Sequence, residues 1–212
     1  MRDLTMVPFK QNKWLHAMMI AYAVFWIWAA ISPTNRTQWF FENMLVVAFL
    51  LALVFTYRKY RFTNTSYACM FIFLCFHTYA AHYTYDQTPF DLWLKAAYHT
   101  RRSYFDRVVH FLFGLLWTYP IRELLLRFTT LRKFWTYVIP VAFNFAFSAL
   151  FEIMEMAVAM VGGQPGQDYL GLQGDIYDTQ KDMGLGLAGA MVAAAILADV
   201  IRARARQASQ RK

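Results

Sequence analysis

The sequence predicts an all-α polytopic membrane protein, a single domain over residues 1–212 with six transmembrane helices and both termini in the cytoplasm. The chain has 212 residues, of which 58% are hydrophobic and only 16% are charged. That composition is too apolar for an ordinary soluble domain. A spanning helix needs about 20 mostly apolar residues. The stretches that come close to this length lie at about 14–31, 43–57, 66–85, 105–120, 134–161 and 183–198.

The first five stretches differ in how clearly they predict a span. Residues 66–85 form a run without Asp, Glu, Lys or Arg, and 14–31 and 134–151 are nearly as apolar. Stretch 43–57 is short, but aromatic residues precede and follow it, as they do at membrane interfaces. The stretch at 105–120 is the weakest, because arginines bracket it. We expect all five to cross the membrane.

The sixth stretch and two prolines predict how the helices pack and bend. Glycine and alanine recur at four-residue intervals in 183–198, which allows close helix packing. We favour packing against the helix at 134–161 over dimerisation. Pro120 and Pro140 are expected to end or kink their helices.

The distribution of Lys and Arg predicts the orientation. With six spans, fifteen of these residues fall on the side of the termini and six on the opposite side. The positive-inside rule therefore makes both termini cytoplasmic. The net charge of +8 is explained as a topology signal, so nucleic-acid binding is the poorer interpretation. Membrane lipid is the expected partner, and the basic tail can also contact anionic lipid.

Acidic and histidine residues interrupt the predicted helices at places that lipid does not tolerate. A charge at mid-bilayer is costly, so such groups usually face the bundle interior and belong to a functional site. On the predicted topology they all lie toward the outer side. We predict that seven of these residues ligate a divalent metal ion, which would be zinc, manganese or iron. They are His82, His110, Glu152, Glu155, Asp175, Asp178 and Asp182.

The same cluster supplies the predicted catalytic and substrate-binding groups. A metal can generate a hydrolytic nucleophile from water, and a spare carboxylate can act as its base. The catalytic residues are predicted to be Asp106, His110, Glu152 and Glu155. The substrate-binding residues are predicted to be His77, Arg102, Arg107 and Gln173.

Several alternatives remain open at this point. His82 stands among aromatic residues and is more often an interfacial histidine, and the last-loop aspartates could simply favour a helix amino terminus. For the whole chain we favour a metal-dependent membrane hydrolase or transferase acting on a lipid or small envelope metabolite. An ion or proton transporter, or a structural protein with internal ion pairs, are the alternatives. The inner halves of the helices look nearly all apolar, which favours a site over a pathway.

Five motifs stand out in the second part of the chain. They are His82-Tyr83-Thr84-Tyr85, Arg102-x3-Asp106-Arg107-x2-His110-Phe111, Arg122-Glu123, Glu152-x2-Glu155 and Gln173-Gly174-Asp175-x2-Asp178-Thr179-Gln180-x-Asp182-Met183. Together they resemble the YjdF-like family of bacterial inner-membrane proteins, over most of the chain from about His77 onward, and their layout is distantly similar to VanZ-type envelope proteins. The resemblance implies a multi-pass protein of the bacterial inner membrane and supplies no reaction.

Overall fold

The secondary structure is entirely helical in the part of the chain that the structure, a computed structural model, describes. These residues are 7–100, 103–170 and 176–210, without the side chains of 159 and 161–170. After a 3-10 turn at Phe9–Gln11 come the helices α1 (Lys13–Ala30), α2 (Arg36–Thr56), α3 (Asn64–His82), α4 (Pro89–Tyr98), α5 (Phe105–Phe128), α6 (Trp135–Leu170) and α7 (Asp178–Gln210). The all-α prediction is therefore confirmed for these residues.

The first four helices begin at side chains that cap their free backbone N–H groups. The Oδ1 atom of Asn12 accepts a hydrogen bond from the Leu15 N–H at 3.1 Å, and Asn35 caps α2 in the same way. Thr63 and Thr88 cap α3 and α4 with their hydroxyls. Such caps satisfy donors that the first helical turn leaves unpaired.

Contacts between α1 and α3 show that these two helices run in the same direction. Asn12 donates to Asn64 at 2.6 Å near their amino ends. Near their carboxyl ends, the Nδ1 atom of His82 lies 2.9 Å from the carbonyl oxygen of Ala29. The intervening α2 runs the opposite way, as its Glu42 carbonyl lies 3.3 Å from His77 of α3.

The later long helices continue this alternation and give the bundle two distinct ends. The carboxyl part of α5 reaches the start of α3, where Glu123 accepts from Thr63. The α6 helix returns beside α5, and α7 runs parallel to α5, since His110 of α5 approaches both Glu152 and Asp182. We call the end with Thr63 and Glu123 the tail end, and the end with His110, Glu152 and Asp182 the acidic end.

The α5 and α7 helices touch backbone to backbone. A Cβ atom added to Gly114 would overlap the Gly186 carbonyl oxygen and lie 2.7 Å from the Ala190 nitrogen. One added to Gly189 would overlap the Phe111 carbonyl oxygen. The small residues of α7 therefore serve close packing, as expected, but their closest partner is α5 and not the helix at 134–161. The latter still lies nearby, with the Ser148 hydroxyl 3.1 Å from a Cβ built on Gly186.

Three helices within the described residues are long and apolar enough to cross a membrane by length and composition. They are Arg36–Thr56, Trp135–Val158 and Asp178–Gln210. The α7 helix has 33 residues, which is about 50 Å at 1.5 Å per residue and exceeds the roughly 30 Å of a hydrocarbon core. The three spans agree with predicted stretches at 43–57, 134–161 and 183–198.

Two sequence expectations differ from the structure. The α5 helix continues through Pro120 as far as Phe128, eight residues beyond the predicted stretch at 105–120. Arg122 and Glu123, which follow the predicted stretch, lie within α5 and are buried. The α4 helix was not predicted, because ten residues are too few to display a clear periodicity.

Candidate metal site at the acidic end

Three potential metal ligands meet where α5 and α7 begin. Asp106, His110 and Asp182 each offer one ligand atom, and these atoms all lie within 4.8 Å of one another. Asp106 and His110 are one helical turn apart on the same face of α5, with the Asp106 Oδ1 atom 3.5 Å from His110 Nε2. His110 and Asp182 are buried, and Asp106 is partly exposed. Solvent therefore reaches Asp106 more easily than the other two members of the group.

Glu152 completes the immediate surroundings from α6. Its Oε1 atom lies 3.5 Å from His110 Nε2, and its side chain is also hydrogen-bonded to Thr179. The Oε1 atom has no hydrogen-bond partner among the described residues. His110 thus stands between the carboxylates of Asp106 and Glu152, which gives the imidazole two acidic neighbours.

The amino end of α5 is held in place by α4. Asp91 is fully buried, and its Oδ1 atom accepts from the backbone N–H of Tyr104 at 2.6 Å and of Phe105 at 3.3 Å. Thr88 in turn donates to Asp91 at 2.9 Å. Asp91 thereby fixes the turn of backbone from which Asp106 projects.

Glu42 of α2 is a member of this region that the sequence analysis missed. It is only 3% exposed, and its Oε2 atom has no hydrogen-bond partner within the described residues. The Glu42 and Asp106 carboxyls are close enough to interact electrostatically. The stretch predicted from the sequence begins at residue 43 and therefore leaves Glu42 out. Asn35 is a good capping residue, and a helix that starts there would have included Glu42.

Glu155 adds a further acidic group to the same surroundings. It is partly buried, and the charges of Asp106, Glu152, Glu42 and Asp182 all act on it. Carboxylates crowded in a low-dielectric space repel one another and are stabilised by protons, arginine or cations. The acidic end therefore has the electrostatic character of a cation site.

Three predicted site residues have ionic or hydrogen-bonding partners beside the cluster. Arg107 pairs with Asp178 at 3.9 Å. His77 is buried, with its Nδ1 atom 2.6 Å from the Tyr85 hydroxyl and its Nε2 atom 3.3 Å from the Glu42 carbonyl oxygen. His77 therefore borders the acidic group through Glu42, and Asp178 is engaged by an arginine.

The remaining predicted residues are not part of the described cluster. His82 stacks on Trp28, with ring centroids 5.1 Å apart, and its Nδ1 atom bonds to Ala29. The structure thus places His82 against α1, which agrees with the alternative of an interfacial histidine. Arg102, Gln173 and Asp175 lie outside the described residues.

Buried polar side chains continue from Glu152 toward the middle of the bundle. Ser148 and Asn144 follow on the same face of α6 and are 1% and 0% exposed. The Asn144 amide nitrogen lies 3.4 Å from the Thr118 hydroxyl of α5. Asn144, Ser148 and Glu152 therefore form one buried polar face of α6 that reaches the middle of the bundle.

The tail end holds a different kind of carboxylate. Glu123 is 5% exposed and accepts from the Thr63 backbone N–H at 2.9 Å, the Thr63 hydroxyl at 2.7 Å and the Ser66 hydroxyl at 2.5 Å. Arg127 lies 3.9 Å from it, one turn along α5. Glu123 joins α5 to the start of α3 and is a structural group.

Comparisons with known proteins extend the resemblance seen in the motifs. The model of the family described as "Predicted membrane protein (DUF2238)" matches residues 14–203. The chain is similar to the inner membrane protein YjdF of Escherichia coli K12, with 29% identity over 186 residues, 87% of this chain and 88% of that protein. No solved structure matches. The resemblance therefore includes the first three helices as well as the region after His77.

Proposed function

The chain belongs to the DUF2238 family of predicted membrane proteins, and we propose that it is a bacterial inner-membrane protein with a divalent-metal site at the outer leaflet. The proposed activity is that of a metal-dependent hydrolase or transferase acting on a lipid or a small envelope metabolite. The observation that carries this proposal is the approach of Asp106, His110 and Asp182 to within 4.8 Å. The similarity to an inner-membrane protein of E. coli supports the location.

The proposed topology has six spans, formed by the helices other than α4, with both termini cytoplasmic. It is supported by the alternating directions of these helices and by the excess of Lys and Arg at the tail end. On this topology the acidic end faces the outer leaflet. Reporter fusions after residues 210 and 87 would test it, and fusions that report the same side would contradict it.

The donor set fits a metal that accepts both nitrogen and oxygen. One imidazole and two carboxylates suit zinc, manganese or iron, whereas an oxygen-only set would suit magnesium or calcium. A metal bound there would polarise a carbonyl or phosphoryl oxygen of a substrate. Asp106 is the partly exposed member, so the side of Asp106 is the proposed approach for the substrate.

The other residues have proposed roles that follow from their positions. Glu152 is 3.5 Å from His110 and can accept a proton from water beside the metal. Glu155 and Glu42 interact electrostatically with the other carboxylates and would add negative charge once a bound cation displaced their protons. Arg107, next to Asp106 and 3.9 Å from Asp178, would contact an anionic group of a substrate.

Elemental analysis of the detergent-purified protein tests the metal site directly. We expect a transition metal in the wild type and a sharp fall in His110→Ala and Asp182→Asn. Asp199→Asn is the matched control, because Asp199 lies on the same helix, has a side chain that is 78% exposed and lies 3.5 Å from Arg202, three residues further along that helix. A wild type without bound metal after loading with zinc, manganese and iron would overturn the proposal.

A proton or cation transporter is the second candidate, and a specific observation favours it. The buried polar groups Ser148, Asn144 and Thr118 extend from Glu152 toward the tail end. Such a series can carry protons or small cations between carboxylates. Flux measurements in liposomes would distinguish the two functions, since Asn144→Leu should abolish transport and leave the metal content unchanged.

A further inference from the structure

The short helix α4 turns its polar side chains toward the protein. Asp91 is fully buried and holds the start of α5 through the backbone N–H of Tyr104. Lys95 donates from Nζ to the Asp86 carbonyl oxygen at 2.9 Å. The two charged residues of α4 are thus both occupied by contacts within the chain.

The outward face of α4 is apolar and carries no charge. Phe90 is 40%, Leu92 55%, Trp93 56% and Tyr98 66% exposed. The other exposed positions of the helix are proline and alanine. A helix on a water-facing surface shows the opposite pattern, with its charges outward and its apolar stripe toward the core. The pattern of α4 therefore fits an apolar surrounding.

This face continues the apolar side surface of the bundle. The ring of Phe90 lies 6.3 Å from that of Phe105 at the start of α5. Phe105 in turn lines an apolar groove between α1, α3 and α5 together with Phe25, Phe76 and Tyr79. The exposed face of α4 and the side of the bundle thus form one apolar surface at the acidic end.

We propose that α4 is an interfacial helix that lies in the headgroup region of the phospholipid bilayer with Phe90, Leu92 and Trp93 immersed in lipid. Trp and Tyr favour this depth because their rings are amphipathic. Lipid is favoured over a protein partner, because the α4 face is continuous with the apolar side surface of the bundle, which lipid surrounds in a membrane protein. The bound Asp91 then fixes the start of α5, and with it Asp106, at the depth of the lipid headgroups.

Spin labelling of the full chain in phosphatidylcholine/phosphatidylglycerol vesicles tests this placement. The background is Cys69→Ser with Cys75→Ser, and the label is attached to Trp93→Cys. We expect collisions with oxygen, which partitions into lipid, to exceed collisions with a water-soluble nickel chelate several-fold. The matched control is Arg206→Cys, an exposed position in the basic tail of α7, where the ratio should invert.

Two results would overturn the proposal. The first is a label at position 93 with the same nickel accessibility as the label at position 206. The second is dipolar broadening at position 93 that disappears on dilution with unlabelled protein, since that would mean that a second copy covers α4.

A measurement without cysteine changes gives an independent test if the labelled variants fail to fold. Brominated phosphatidylcholine quenches tryptophans that lie in lipid. Wild-type protein and Trp93→Phe are compared in vesicles with and without the brominated lipid. Trp93 must account for part of the quenched emission, and an identical quenched emission in the two proteins contradicts an interfacial α4.

Discussion

The buried carboxylates at the two ends of the bundle differ in the hydrogen-bond donors that surround them. Glu123 at the tail end is surrounded by donors, with two hydroxyls, one backbone N–H and an arginine near its oxygens. At the acidic end, Glu152 and Glu42 each have a buried oxygen without a hydrogen-bond partner in the described part of the chain. Both ends remove acids from water, but among the described residues Glu123 has more hydrogen-bond donors than Glu152 or Glu42.

The difference concerns the hydrogen bonding of the described residues at each end. A buried charge that is fully hydrogen-bonded is compatible with a stable fold, whereas an unpaired one costs several kcal/mol. Asp106, Glu152 and Glu155 also repel one another. On the proposed function, a bound cation would relieve this repulsion at the acidic end, whereas Glu123 at the tail end already has its donors.

The largest expected effect is that of Glu123→Ala. The change leaves the Thr63 and Ser66 donors without their acceptor in a buried position, so the free energy of unfolding should fall by about 3–5 kcal/mol. Thermal unfolding in detergent measures it. Glu123→Gln retains one acceptor oxygen and should lose less. A loss for Glu123→Ala no larger than that of an exposed-residue substitution would mean that the tail end is not organised by this carboxylate.

The next effect is stabilisation by metal at the acidic end. A ligand that binds only the folded state stabilises by about 2.7 kcal/mol when its concentration is 100 times its Kd. Zinc or manganese should therefore raise the Tm of the wild type and of Asp199→Asn, and should leave that of Asp182→Asn unchanged. In the presence of a chelator, Glu152→Gln should be at least as stable as the wild type, because it relieves repulsion. If Glu152→Gln were as destabilising as Glu123→Gln, the two ends would not differ.

A smaller effect is expected from the contact that brings α5 and α7 together. Gly114→Ala places a methyl group against the backbone of Gly186 and should cost about 1–3 kcal/mol through overpacking. Gly184→Ala is the matched control, since nothing lies within 4 Å of its Cβ position. That change should be neutral or gain up to about 1 kcal/mol in helix propensity. Equal unfolding curves for the two variants would contradict the close contact.

The smallest effect is that of Arg127→Ala. Its guanidinium lies 3.9 Å from Glu123 and is 27% exposed, so the ion pair should contribute about 0–1 kcal/mol. The same side chain covers the ring of Tyr60 at 4.6 Å. Thermal unfolding at low and high salt would separate the ionic part. A loss comparable to that of Glu123→Ala would mean that the arginine, and not the hydroxyl donors, stabilises the carboxylate.

The sequence allowed prediction of those features that depend on one helix at a time. Apolar length located the long helices, and helical spacing placed Asp106 and His110 on one face. The i, i+4 arrangement of Asn144, Ser148 and Glu152 also follows from spacing alone. These features require only the period of the α-helix.

Features that depend on the partner of a side chain could not be predicted. Nothing in the sequence distinguishes Glu123, which has three hydrogen-bond donors, from Glu42, which has one oxygen without a partner among the residues that the structure describes. His82 is similarly ambiguous, because its contact with Trp28 depends on how α1 packs on α3. The same limit applies to α4, because a pattern based on charge would place both its buried Asp91 and its partly buried Lys95 in water.

The glycine contact between α5 and α7 has a consequence for the spacing of the acidic end. Because main chain meets main chain at Gly114 and Gly189, no side chain can be rotated aside to bring the two helices closer, and their closest approach is set by the backbone. The same contact keeps the starts of α5 and α7 side by side, where Asp106, His110 and Asp182 meet. The glycines carry no ligand atom, yet they would contribute to the spacing of the carboxylates around an ion bound in the proposed site.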